Sequence, residues 1–265
     1  MKLKTAFVLG AALVAFLLNS CAPVGGGGYG SSEALSAAPS RDKSRSAGSD
    51  YVPQERPGLA TGWGAEKASK LQDVHFVRTS SKPAGTDMVF YNDSAGIDAM
   101  VGYKRKVSPM QTAAGEMVEW GIKGGSSFLE TYKENGYGRR LVEGGKGGRY
   151  SIVVKNRSKS ALEIVASVDG LDVQDGKTAS FSKRGYIIAP GNTLEIEGFR
   201  TSSSTVAAFK FSSVSNSYAN MKHGDTRNVG VIGIAVFTKK GVNPWTWMPG
   251  EVNQRKTANP FATAP

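Results

Sequence analysis

The second half of the chain alternates apolar and polar positions with a period of two. Residues 150–155 set Tyr150, Ile152 and Val154 against Ser151, Val153 and Lys155, and residues 161–168 set Leu162, Ile164, Ala166 and Val168 against Glu163, Val165 and Ser167. Such alternation marks strands with one buried face. The polar stretch 156–160 between them predicts an antiparallel hairpin, and Asp169-Gly170 and Asp175-Gly176 predict two further reversals. Leu194 and Ile196 turn inward with Glu195 and Glu197 outward, and Ala207, Phe209 and Phe211 share a face. Residues 229–237 are apolar on both faces (Val229, Val231, Ala235 and Phe237 against Ile232, Ile234 and Val236), which predicts a central strand covered on both sides.

The first half is less regular. Residues 73–79, 87–91 and 115–122 read as short strands, the last carrying Met117 or Trp120 inward. One helix is predicted after Ser127, because Ser127 and Glu130 have the capping-box spacing, Phe128, Leu129 and Tyr132 form a stripe, and Gly136 supplies a stop. Short strands separated by turns define an all-β fold, an antiparallel β-sandwich or jelly-roll-like domain with one or two short peripheral helices. The glycine-rich run 144–148 is read as a loop inside that domain, since neither side alone has the strands for a closed core.

The N-terminus carries an address. Lys2 and Lys4 precede an apolar run to Leu18, too short for a stable membrane span, so residues 1–20 read as a signal peptide. Leu18-Asn19-Ser20-Cys21 resembles the lipobox of bacterial lipoproteins, and Cys21 is the only cysteine in the chain. The resemblance implies acylation of Cys21, palmitate included, and anchoring in the lipid bilayer by two or three chains. Ala22 rather than aspartate after the cysteine implies the outer membrane, with the domain on its periplasmic face or at the cell surface. Of residues 22–50, 20 of the 29 are Gly, Ala, Ser or Pro, too little apolar area to offset ordering, so residues 21–64 are expected to be the lipid anchor and a disordered arm. The domain is then 65–240, followed by a tail, 241–265.

Charge localises to the domain. The chain carries a formal +11; Lys2 and Lys4 supply two, and the arm is neutral, with Arg41, Lys43, Arg45 and Arg56 against Glu33, Asp42, Asp50 and Glu55. That leaves 27 Lys and Arg against 18 Asp and Glu, a net +9, on residues 65–265. Acidic partners follow: cell-wall polymer, lipopolysaccharide, anionic head groups or extracellular nucleic acid, but not intracellular nucleic acid. The anion-binding candidates are Lys104, Arg105 and Lys106, then Arg139, Arg140, Lys146 and Arg149, although solvated loop charge and edge-strand protection explain any single one of these clusters more simply. Further basic positions are Lys155, Arg157, Lys159, Lys183 and Arg184.

A second resemblance covers most of residues 57–237. Val168-Asp169-Gly170, Arg184-Gly185-Tyr186-Ile187 with Pro190-Gly191, Gly198-Phe199-Arg200, Val206-Ala207-Ala208-Phe209 and Asn228-Val229-Gly230-Val231-Ile232-Gly233 look like an uncharacterised domain of bacterial envelope proteins. Pro57-Gly58-Leu59 and Tyr91-Asn92-Asp93 look like its N-terminal marks. The resemblance implies an all-β fold and no known activity.

Catalytic constellations are sparse. One cysteine and two histidines exclude a disulfide framework, a Cys/His zinc cluster and a Cys-His pair. His75 sits in a predicted strand without a nucleophile elbow, and His223 beside Asp225 is the one candidate base. The 144–149 loop lacks P-loop spacing. Glu116, Glu119, Glu195 and Glu197 offer carboxylates for glycoside hydrolysis, and Asp169, Asp172 and Asp175 offer oxygen ligands that two turns explain more simply. Trp245 and Trp247 either stack on a sugar or partner, or cover the strand that ends near Phe237. No catalytic residue, metal or cofactor is therefore assigned. The expectation is an outer-membrane lipoprotein whose basic sandwich binds an envelope component, polymer or protein, without catalysis. A carboxylate-dependent carbohydrate-active hydrolase and a structural subunit of an envelope assembly are the alternatives.

Overall fold

A computed structural model describes residues 56–72, 74–134, 136, 138–245 and 249–260. Cys21, the arm to residue 55, and Trp247 lie outside the described residues. The described chain contains strands β1 (Leu59–Ala68), β2 (Gly85–Asn92), β3 (Lys104–Val107), β4 (Gln111–Ala113), β5 (Val118–Gly124), β6 (Ser127–Phe128), β7 (Thr131–Glu134) and β8 (Arg140–Glu143). They are followed by β9 (Ser151–Asn156), β10 (Leu162–Val168), β11 (Leu171–Asp172), β12 (Tyr186–Ile188), β13 (Thr193–Ile196), β14 (Gly198–Arg200), β15 (Thr205–Ser213) and β16 (Val231–Thr238). Three short helices, α1 (Ser94–Val101), α2 (Tyr218–His223) and α3 (Pro249–Lys256), lie between or after them.

An eight-stranded sheet runs β11-β10-β16-β2-β8-β7-β3, with β12 also on β10. A five-stranded sheet runs β13-β9-β5-β4, with β6 on β5, and a three-stranded sheet runs β1-β15-β14. The two smaller sheets adjoin where Tyr150 N–H donates to Phe209 O and Phe211 N–H to Gly148 O. One core joins all three: Val89, Ile164 and Ile232 from the large sheet meet Trp120, Ile152, Phe199 and Phe209 from the others. This is the expected β-sandwich, with one departure from all-antiparallel pairing, the parallel pair β2 and β8.

β16 is central, between β10 and β2, as its two apolar faces require. Ile232, Ile234 and Val236 enter the main core, while Ala235 and Phe237 form a second cluster with Val165 on the opposite face. Of the strand expected over residues 73–79, the described residues 74–79 form none; they make a strap bridged to the sheet through Arg78 and Lys239. β1 begins at Leu59, so the sheet takes in residues 59–64 that the sequence assigned to the arm, with Leu59 and Ala60 buried.

The predicted hairpin of residues 150–168 is an arch instead. β9 pairs with β5 and β13, β10 pairs with β16, and the chain crosses from one sheet to the other between them. Asn156 makes the crossing. Its fully buried amide donates to Ser160 O at 2.8 Å and Ile188 O at 3.0 Å, and its carbonyl accepts from the Ser158 amide and hydroxyl, both at 2.8 Å. A hairpin would leave the apolar faces of both strands in one sheet; the arch turns them toward each other. Asn156→Ala leaves buried carbonyls and an amide unpaired, and urea denaturation is expected to show a loss of about 2 kcal/mol.

The helix predicted at Ser127 is corrected to a hairpin. Gly125, at φ +64°, turns the chain so that Ser127 and Phe128 pair back onto Gly124 and Lys123. Leu129 packs where a side chain on Gly124 would stand, its Cδ2 only 2.4 Å from a Cβ built there. Glu130 is drawn to Lys106 and the Tyr132 hydroxyl rather than to a helix N-terminus. The helices form elsewhere, on local caps: Asp93 accepts from Gly96 N–H at 2.8 Å to start α1, and Ser217 accepts from Asn220 N–H at 3.1 Å to start α2.

Candidate functional site

Formal charge overstates what the expected anion-binding residues can offer. Lys104 pairs with Asp98 at 2.9 Å and lies over the Tyr132 ring, and Lys106 pairs with Glu130. Arg139 makes a two-pronged bond to Glu134 at 2.6 and 2.9 Å, holding that carboxyl below its ordinary range. Arg140 is buried against Asp87 and over the Trp120 ring, and desolvation pushes its guanidinium down. These four cations are structural. Arg105 stays exposed on the edge strand β3, opposite Lys133 of β7. There the basic run does what edge charges do, blocking sheet-to-sheet association.

Lys146 and Arg149 differ. The glycine-rich loop that carries them folds over the Phe211 ring, which lies 2.7 Å from a Cβ built on Gly144. Gly147 adopts φ +87° and donates to Phe211 O at 2.8 Å, and Arg149 bridges to Lys210 of β15. Lys146, Arg149 and Lys210 are exposed, and none has an acidic partner among the described residues. Lys210 was not legible as part of this group, although it is the one polar residue inside Phe209-Lys210-Phe211. Lys155, Arg157 and Lys159, along the arch, are likewise exposed and without an ion pair among the described residues, whereas Lys183 pairs with Asp175 and Arg184 donates to Phe76 O.

Beside Arg149 lies a pocket of about 180 Å³ that also holds Lys67, Lys123, Glu195 and Glu197. Two of the four carboxylates proposed for glycoside chemistry, Glu195 and Glu197, thus share a pocket, each with its own lysine, while Glu116 lies in the turn before β5 and Glu119 on β5 opposite Lys155. Ser151, at 2.7 Å, and Lys123 hold the Glu195 carboxyl below its ordinary range. A general acid needs the opposite shift. Asp225 is also committed: Arg227 binds it and holds it at about 2, while His223 Nε2 faces Gly176 O at 2.8 Å. Among the described residues, no group of three or more His, Cys, Asp or Glu is placed to hold a metal ion. Asp175 goes to Lys183, and Asp172 is buried, accepting from Gln174 N–H. Trp245 is half-buried against the main core, beside the arch, where Lys159 N–H donates to Pro244 O.

Asp169 is no simple turn residue. It sits at φ +54°, fully buried, accepting from Thr61 N–H at 2.8 Å, Gly230 N–H at 2.9 Å and the Tyr91 hydroxyl at 2.7 Å. Thr61 Oγ1 lies 2.8 Å from the Tyr91 hydroxyl and 2.6 Å from that of Tyr150. Since a carboxylate only accepts, Tyr91 donates to it, Thr61 to Tyr91, and Tyr150 to Thr61. Burial pushes Asp169 up to about 6 and both tyrosines well above their ordinary value. The network ties β1, β2 and the start of β9 to the end of β10.

The outer face of the large sheet carries a groove of about 790 Å³ over β2, β10 and β16, walled by the loop 178–181. Met88 and Phe181, 54% and 53% exposed, stand at its sides. A scan against protein-family models, a search of curated proteins and a search of solved structures each find no match for this chain.

Proposed function

We propose that this chain is an envelope lipoprotein, anchored through Cys21, whose β-sandwich binds an anionic envelope polymer without catalysis. The observation that carries the reading is the group Lys146, Arg149 and Lys210, three exposed cations gathered by a glycine loop and a cross-strand bridge, none of them in an ion pair among the described residues; the two carboxylates nearest Arg149, Glu195 and Glu197, are taken by Lys123 and Lys67. Cations spent in ion pairs add little to the recognition of an anion, whereas three free ones on a rigid junction give a local field that salt screens. The lipobox and the glycine- and serine-rich arm support the anchoring.

The test is co-sedimentation of residues 22–265, which keep every described residue, with peptidoglycan sacculi and with lipopolysaccharide vesicles at low and high salt. Pelleting at low salt that falls at least tenfold at 0.5 M salt is expected. The triple substitution Lys146→Glu, Arg149→Glu and Lys210→Glu abolishes it with little cost to the fold, because all three side chains are exposed. Pelleting by neither polymer, or binding untouched by the triple substitution, overturns the reading.

A further inference from the structure

The outer face of a two-layer sandwich is ordinarily polar, yet here it is apolar over the central strand. Outward positions on β16 are Val231, Gly233 and Ala235; Gly233 lies between Ser167 of β10 and Met88 of β2. The small residues in the middle of β16 make a trough, with Met88 and Phe90 on one side and Phe181 on the other. Farther along β16, Arg78 covers Phe237, 3.6 Å above its ring. At one end of the groove stand Arg227 and Asn228.

The chemistry of the lining narrows the occupant. β16 is hydrogen-bonded to β10 along one side and to β2 along the other, so the floor offers an extended peptide no open backbone ladder. Peptide amides lying there would be desolvated without partners. Thr86, Ser167, Thr178 and Ser180 contribute only short hydroxyls to the lining. Two charged residues border the groove, Asp87 and Arg227. Asp87 is taken by Arg140 and by Trp120 Nε1 at 2.7 Å. Arg227 holds Asp225 through Nε and Nη2, which leaves Nη1 for a further acceptor on a side chain that is 86% exposed. The groove therefore presents a mostly apolar track with one spare donor at its mouth, the Arg227 Nη1 left over from the ion pair with Asp225.

We propose that this groove binds a straight-chain fatty acid, its unbranched chain along Gly233 and Ala235 and its carboxylate at Arg227. The volume, about 790 Å³, is in the range of small-ligand sites. The site is separate from the Lys146 group and stands or falls independently of it.

Calorimetric titration of residues 22–265 with decanoate, laurate and myristate tests the proposal. Each added methylene is expected to tighten binding roughly fourfold, the signature of a hydrocarbon chain being buried. Dodecanol, with the same chain as laurate and no charge, binds several-fold more weakly, and Arg227→Gln removes that difference. Gly233 has an ordinary strand backbone and its nearest outward neighbour is Ser167 Oγ, 3.1 Å from a built Cβ, so Gly233→Leu fills the trough. It lowers laurate affinity at least tenfold with the thermal midpoint retained. Phe181→Ser, at an exposed position, removes a wall and serves as the second variant should Gly233→Leu not fold. Affinity that ignores chain length, or that survives both groove substitutions, overturns the site. Equal binding of dodecanol, or preference for a lysophospholipid or an apolar peptide over laurate, overturns the fatty-acid assignment.

Discussion

Arg78→Ala is expected to cost about 3–5 kcal/mol in urea denaturation. Arg78 forms a two-pronged bond with Glu163 at 2.7 and 3.0 Å, and Glu163 is almost entirely buried on the outward face of β10. The same guanidinium binds Phe181 O and Lys183 O and covers the Phe237 ring. Burial alone would raise Glu163; Arg78 and the Gly185 N–H more than offset it and hold the carboxyl below its ordinary range. Truncating Arg78 strands a buried carboxylate and uncovers an aromatic ring together. Adding Glu163→Gln removes the stranded charge, so the double variant loses about 2 kcal/mol less than the sum of the singles. Strict additivity would show that the pair is not coupled. Arg78→Lys rescues little, because an ammonium can neither form the fork nor stack on Phe237.

Asp169 contributes a pH dependence of unusual sign. Its carboxyl is raised from 3.8 to about 6 by burial, so between those values the folded chain binds a proton that the unfolded chain has released. Stability from this group is fully present below about pH 4 and is lost as pH rises through about 6, a fall of about 3 kcal/mol. Glu163 and Glu195, whose carboxyls are lowered, act the other way, their contribution disappearing as pH falls. The Asp169 part is isolated by comparison with Asp169→Asn, since Asn tolerates the positive φ and keeps the shape. The difference in unfolding free energy between the two chains is expected to move about 3 kcal/mol in favour of the variant from pH 4 to pH 8. A constant difference would mean that Asp169 stays ionised throughout.

What the chain showed in advance was the set of strands and their buried faces, because a period of two is a local property. Ile152, Val154, Ile164 and Ala166 face the core as their alternation requires, and the double-faced pattern of residues 229–237 lies at the centre of the large sheet. Which strands pair is not local. The polar stretch 156–160 suits a hairpin and an arch equally, and what separates them is the burial of Asn156, whose partners at Ile188 and Ala189 are some thirty residues away. Ser127 and Glu130 satisfy a capping spacing, yet Lys106, from another strand, takes Glu130. The charge clusters were legible as charges but not as free or spent, since Arg140 meets Asp87 53 residues upstream and Arg149 meets Lys210 from a different strand. The groove was not legible at all: Val165, Gly233 and Met88 become neighbours only when β2, β10 and β16 do.

The registers of β1 and β16 bear on when this chain can fold. Leu59 pairs with Ser213, and the strand at the middle of the large sheet, residues 231–238, is the last in the described chain. Neither β2 nor β10 has its main neighbour until that segment has been made, so the intermediate chain holds strands whose partners do not yet exist. Closing loops of this length is slow. For a protein proposed to be threaded through a membrane before reaching its destination, pairing that waits on residues 231–238 would leave the chain longer in a state that can be threaded.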